Sequence, residues 1–260
     1  MDAGCGFGHN AVWSVLMGAE HVIAVDCDPM KIEGCRRMAD AYGVTDRMTI
    51  CLGDVHHLSI PDRSIQAVIN FECLEHFEDL SIFFRDIARV LEAGGRFYGR
   101  TGANALSPMH EFMRQRFYRF IERTRFIPER EEMLRHWLPN CDAATVHRLA
   151  VGTRGLAKDD IRSRAMAILN RRASSTSRFS TAVNPHTGEW AERSINPYAV
   201  ASAMRSAGFR ARVLRSRHFI TGRHWRRRAY NLVGKLMTAT HPLSLAVSPS
   251  IEVFGYRLET

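Results

Sequence analysis

The chain has 260 residues, of which 45% are hydrophobic and 24% charged, and a formal net charge of +9. That balance belongs to globular proteins rather than disordered or fibrous ones, and no apolar run approaches the ~18 residues of a membrane-spanning helix. The charge is split: residues 1–100 hold 9 Lys and Arg against 15 Asp and Glu, and residues 101–260 hold 27 against 12. Only the second part is suited to an anionic partner such as nucleic acid, anionic lipid or a phosphorylated substrate.

The first hundred residues alternate between two periodicities. Asp2 and the glycines of Gly4-Cys5-Gly6-Phe7-Gly8 open the chain, and Asn10 to Gly18 reads as a helix with Ala11, Val12, Val15 and Leu16 on one face. His21 to Val25 is a β-branched run ending at Asp26. Asp28 and Pro29 supply an N-cap and a first helical position for a helix to Tyr42. Met48 to Leu52 and Ile65 to Phe71 read as strands, followed by Gly53-Asp54 and by Glu72. Leu80 to Leu91 is amphipathic, with Ile82, Phe83, Ile87, Val90 and Leu91 at helical spacing. Glu92 to Gly95 closes it, and Arg96 begins another strand. Strands alternating with helices of this length imply right-handed βαβ units and a parallel sheet. A ligand then sits at the carboxyl ends of the strands.

The polar residues at those ends form an ordered set: Asp2 with the glycines, Asp26, Asp54, then Asn70, Phe71 and Glu72. Glycines let a backbone turn tightly and approach a ligand closely. Asp26, 18 residues beyond Gly8, can accept both hydroxyls of a ribose; Asp54 can accept from a purine amine, with Val55 beside it to pack on the base.

DAGCGFG, VDCDP, GDVHHL, NFECLEHFED and RVLEAGG, in this order and spacing, resemble the class I S-adenosylmethionine-dependent methyltransferases. A nicotinamide-binding loop reads GxGxxG, whereas this one reads GxGxG. The resemblance implies a doubly wound, mostly parallel Rossmann-like α/β sheet with an antiparallel last strand, and S-adenosylmethionine as cofactor. It implies that Asp2, Gly4, Cys5 and Gly6 hold the cofactor's amino-acid part and Asp26 its ribose. Cys27 then borders the adenine, Asp54 binds its amine, and Val55 supplies a backbone group, with Phe71 and Glu72 adjoining. In this family the residues before Asp2 form the central first strand, so the expectation is a stub there and a pocket open on that side.

Glu72-Cys73-Leu74-Glu75-His76 resembles segments of quinone-precursor O-methyltransferases and small-RNA 2′-O-methyltransferases. Three readings stand: a structural feature of the fold, a base at Glu75 or His76, or a metal held by Glu72, Glu75 and His76, with His110 as a possible further ligand. The six cysteines form no CxxC pair and fit reduced thiols of a cytosolic protein.

Residues 1–103 are thus expected to be the cofactor-binding core. Residues 104–193 read as a helical insertion between strands five and six that covers the acceptor: Met109 to Glu122, Glu129 to Trp137, Ala143 to Val151 and Lys158 to Arg172 have helical patterns. Residues 194–260 return to the sheet, with a helix from Asn196, a strand from Arg210 and a last strand from Ile251 to Arg257. Arg223 to Arg228 and the apolar stretch to Met237 suggest peripheral contact of residues 223–237 with an anionic membrane. The expected activity is O-methylation of a small molecule or a glycan- or lipid-linked precursor. RNA methylation, suggested by the Arg-aromatic interleaving of residues 112–125, is one alternative. A non-catalytic methyltransferase-like chain is the other.

Overall fold

The structure, a computed structural model, describes residues 1–77, 79–172, 182–186, 188, 193–214, 232, 240–248 and 250–258. Two compact units emerge: residues 1–108 with 194–260, and residues 109–193.

The first unit is a seven-stranded sheet: β1 (Asp2–Ala3), β2 (Val22–Asp26), β3 (Met48–Leu52), β4 (Ile65–Phe71), β5 (Leu91–Thr101), β6 (Phe209–Leu214) and β7 (Ile251–Arg257), in the order β3-β2-β1-β4-β5-β7-β6. The first five run parallel, and β7 pairs antiparallel with both β5 and β6. Helices α1 (His9–Leu16), α2 (Pro29–Ala41) and α3 (Leu80–Val90) follow β1, β2 and β4. The crossovers reverse direction between β1 and β4, which makes the carboxyl ends of these strands the switch point of the sheet.

Local chemistry explains the helix starts. The Asp28 carboxylate accepts from the Met30 and Lys31 amides with Pro29 at the first helical position, and Asp79 caps α3 by accepting from Ser81 N. The core-facing side of α3 differs from the sequence expectation by one position. Phe84 is buried, whereas Ile82 is partly exposed, because the stripe through Phe83, Ile87 and Val90 widens toward Phe84 and Ala88. Leu16 likewise lies outside the buried face of α1. Phe83, Phe84, Phe97 and Phe209 stack edge-on across the α3 side of the sheet; burying each such ring contributes roughly 1.5–3 kcal/mol. The segment from Glu92 to Gly95, expected to stand between helix and strand, is part of β5. Leu91 pairs with Ile65 and Arg96 with Ala67, the extra residues being absorbed in a bulge.

β1 is two residues long. Beside it a cleft of ≈ 560 Å³ is lined by Val22 and Ile23 of β2 and by Ile65, Ala67 and Ile69 of β4. The Met1 amine donates to Ala67 O at 2.8 Å, and Met1 O accepts the Ile69 amide.

In the other unit, α4 (Pro108–Ile121) continues through a wide turn (Glu122–Phe126) into α5 (Ile127–Trp137), followed by α6 (Ala143–Gly152) and α7 (Lys158–Leu169). Leu134, Val146, Leu149, Ile161 and Ala165 form its core. Arg130 is fully buried there, ion-paired with Glu122 and donating to Ala150 O at 3.0 Å. Back in the sheet unit, α8 (Pro197–Ser206) starts at Asn196, whose side chain accepts from Tyr198 N. A further helix, α9 (His241–Val247), was not expected from the sequence. Asn104, placed by sequence at the start of the insertion, belongs to the sheet unit. It is buried, and its side-chain amide donates to Leu245 O and Ser248 O, both at 2.7 Å. Residues 215–231 and 233–239, which include most of the expected membrane-contacting stretch, lie outside the described residues. Among the described residues no helix is long and apolar enough to cross a membrane.

Candidate functional site

The turn after β1 is held to the end of β2. The Gly4 and Cys5 amides donate to Val25 O at 2.8 and 2.9 Å. The Gly6 amide donates to Asp26 Oδ2 at 2.8 Å, and the Asp28 amide donates to Asp26 Oδ1 at 3.0 Å. Asp26, at the tip of β2 and largely buried, therefore carries a carboxylate fixed by two backbone donors, with acceptor capacity left for hydroxyl donors. Sequence reasoning assigned it to a ribose and did not foresee that it also anchors the glycine loop.

Gly4, Gly6 and Gly8 all have positive φ (79°, 54° and 86°). At Gly4 an added Cβ would lie 2.3 Å from Cys73 Sγ, so the loop packs directly on the segment after β4. At Gly6 the same atom would meet nothing within 4 Å, and the loop is open on that side. Gly8 caps α1, whose first amides point back toward the loop.

Asp2 is buried and, among the described residues, neither of its carboxylate oxygens accepts a hydrogen bond of normal geometry. Burial raises its pKa to about 7; the Met1 amine and the Ala11 amide oppose this, while the charge of Asp26 adds to it. Such a carboxyl is matched to a cationic group brought in from outside.

Cys27 follows Asp26 and is exposed; desolvation first, then the charges of Asp26 and Asp54, push its thiol upward. Asp54 follows β3 and is open to solvent. Its Oδ1 accepts from the His56 amide at 2.9 Å and lies 2.8 Å from His56 Nδ1. Desolvation acts upward on Asp54, but the His56 contacts outweigh it and hold the carboxyl below its usual range. Val55 beside it is buried.

At the end of β4, the Asn70 side-chain amide donates to Ala3 O at 2.6 Å, tying β4 to the loop after β1. Phe71 stacks on Tyr98. Glu72 takes a positive φ of 49°, uncommon for a non-glycine residue, and its carboxylate accepts the Gly102 amide at 2.6 Å. Leu74–His76 is one 3₁₀ turn. Within it Glu75 is fully buried, whereas Glu72 and His76 are exposed. The convergence that the metal reading of the ExxEH segment requires, one of the three that stood, is therefore not found: among the described residues no three His, Cys, Asp or Glu side chains are grouped to hold a metal ion. His110 lies in α4, in the helical unit.

Cys73 is the site residue that the sequence did not single out. Burial, then the charge of Glu75, pushes its thiol up to about 12, so it stands as a neutral packing group under Gly4. Its only sequence signal is its place two residues beyond the end of the fourth strand.

Comparison with known proteins agrees with this architecture. A family model described as "Methyltransferase domain" matches residues 1–99. A sterol 24-C-methyltransferase of Aspergillus fumigatus is 32% identical over 97 residues, covering 37% of this chain and 26% of that protein. A norajmaline N-methyltransferase of Rauvolfia serpentina is 27% identical over 94 residues, covering 36% of this chain and 32% of that protein. The matched segment thus spans about a third or less of these curated relatives. The crystal structure of an S-adenosylmethionine-dependent methyltransferase from Mesorhizobium loti superposes with a TM-score of 0.52 at 16% identity, over 98% of this chain and 89% of that one, a likeness of fold.

Proposed function

We propose that residues 1–99, which match a family model described as "Methyltransferase domain", form the core of a class I S-adenosylmethionine-dependent methyltransferase, and that the protein transfers a methyl group from this cofactor to a small-molecule acceptor. The observation that carries the reading is the ordered row of carboxylates at the strand ends. Asp2 is buried with unfilled acceptor capacity, Asp26 is fixed by two amides, and Asp54 is held ionised and exposed. These chemistries suit, in turn, an ammonium, a pair of hydroxyls and an exocyclic amine.

In this reading Asp2, Gly4, Cys5 and Gly6 hold the amino-acid part and Asp26 the ribose. Cys27 and Val55 border the adenine, Asp54 accepts from its amine, and Phe71 and Glu72 wall the site. When bound, S-adenosylmethionine supplies an electrophilic methyl group on a sulfonium. The chain's task is to align an acceptor in line with that methyl and to exclude water. Glu75 is too deeply buried to touch an acceptor, which leaves exposed His76 as the base candidate of the ExxEH segment.

The finer assignment is methylation on oxygen, of a small molecule or a glycan- or lipid-linked precursor, with His76 taking the proton. Curated relatives named for C- and N-methylation make the acceptor atom the point to test. Calorimetry with S-adenosylhomocysteine tests the cofactor reading: folded protein that takes up none refutes it. Activity against hydroxyl-bearing acceptors, compared between wild type and His76→Ala, then tests the oxygen assignment.

A further inference from the structure

Helix α4 presents to solvent a stripe that its own unit leaves uncovered. Met109, Phe112, Met113, Phe117 and Phe120 recur at helical spacing, and each is 56–69% exposed. Arg116, Arg119 and Arg123 run along the same face, also exposed. With Phe112, Phe120 and Thr124 they line a depression of ≈ 470 Å³. The opposite face turns inward: Tyr118 is buried against Phe126 and Ile121, and Arg114 is buried with Glu111 as its ion-pair partner. The sequence interleaves arginine and aromatic residues throughout; the helix sorts them so that only this set faces outward.

Five large apolar side chains on one exposed stripe exceed the scattered exposure ordinary for a surface. Of the two carboxylates in residues 108–126, Glu111 is half-buried and pairs with Arg114 on the opposite face, and Glu122 is buried against Arg130. We propose that this face of α4 docks on an anionic lipid bilayer, with the Phe and Met side chains entering the acyl boundary and Arg116, Arg119 and Arg123 meeting lipid phosphates. Two observations favour a membrane over nucleic acid. Methionines at 109 and 113 offer no ring for base stacking, and the apolar groups form one continuous stripe rather than platforms spaced for successive bases. The proposal stands apart from the methyl-transfer reading and from residues 223–237.

The test is co-sedimentation of the full chain, without cofactor, with phosphatidylcholine vesicles with and without phosphatidylglycerol. Wild type should bind only the anionic vesicles, and less so in high salt. Joint replacement Phe112→Ser, Phe117→Ser and Phe120→Ser should weaken binding at least tenfold. Each of Arg116→Gln, Arg119→Gln and Arg123→Gln should weaken it roughly fivefold. Phe117→Trp keeps a ring and should keep binding, its added emission being quenched by lipids with brominated acyl chains. Four results overturn the proposal: no binding to anionic vesicles, equal binding by the serine variant, unquenched added emission in the Phe117→Trp variant, or an RNA complex or self-association abolished by the serine variant while vesicles are ignored.

Discussion

The Gly6 amide donates to Asp26 Oδ2 at 2.8 Å, so the carboxylate at the tip of the second strand fixes the loop that follows the first. The residue assigned to the ribose is thereby also responsible for the shape of the neighbouring subsite. Asp26→Ala should lower affinity for S-adenosylhomocysteine by more than one hydrogen bond's worth. A loss of roughly 2–4 kcal/mol is expected by calorimetry, since the Gly6 and Asp28 amides also lose their acceptor. Asp54→Ala, which releases only the solvent-exposed His56 contacts and leaves the glycine loop anchored, should cost only ~1–2 kcal/mol. Equal losses at the two positions would contradict the anchoring role of Asp26.

Asp2 couples stability to pH. Its pKa in the fold is raised to about 7 from 3.8, so the fold favours the protonated carboxyl. The contribution is complete below about pH 4 and is lost as pH rises through about 7. Asp2→Asn should therefore be more stable than wild type near pH 8, by on the order of 1–3 kcal/mol, with the difference shrinking toward pH 5. The same substitution should abolish cofactor binding, because a neutral amide replaces the partner of an ammonium. Denaturant melts at the two pH values, paired with calorimetry, read both effects. A variant that still binds well would remove Asp2 from the site.

Gly4 is held by space as well as by backbone. With φ at 79° and Cys73 Sγ 2.3 Å from an added Cβ, Gly4→Ala should destabilise the fold by ~1–3 kcal/mol. Adding Cys73→Ala should recover part of the loss by removing the sulfur, leaving the backbone strain of ~1 kcal/mol. Strictly additive effects in this double-mutant cycle would mean that the two residues do not touch.

The buried pair in the helical unit makes an opposite demand. Burial lowers the Arg130 pKa to about 10, with the charge of Arg154 acting in the same direction, and Glu122 is its ion-pair partner. Glu122→Ala should cost ~3–5 kcal/mol by stranding the guanidinium. Glu122→Leu with Arg130→Met should be far less costly than either single change, as apolar groups of similar volume replace both charges. Thermal melts that rank the double variant below both single variants would refute this.

Much of the sheet was legible from short-range chemistry. The bounds of β3, β4 and β7 coincide with the apolar runs at 48–52, 65–71 and 251–257, and the Asp28-Pro29 signal marks the start of α2. What the sequence concealed depends on contacts between distant residues or on which way a side chain turns. Asp26 and Gly6 are 20 positions apart, and nothing local marks their bond. The ExxEH spacing suggested convergence, but a single 3₁₀ turn buries Glu75 while leaving His76 exposed. Glu122 and Arg130 read as two more charges on a polar helix, because their pairing is visible only once α4, the wide turn and α5 are assembled. Pro242 after Thr240 was an available signal for the start of α9.

The shortness of β1 bears on how the sheet comes apart. The β3-β2 pair and the β4-β5-β7-β6 block are joined through the two residues Asp2 and Ala3, with Met1 alongside. The blocks on either side have ladders of five or six rungs. A seam so narrow uncouples the two blocks, so amide exchange should resolve two protection levels across one sheet, with Asp2 and the residues lining the cleft among the earliest to lose protection. The residues proposed to hold the cofactor lie on both sides of that seam, and a ligand gripping Asp26 on one side and the Asn70–Glu72 segment on the other would act as a clasp, bringing both blocks to a single opening free energy.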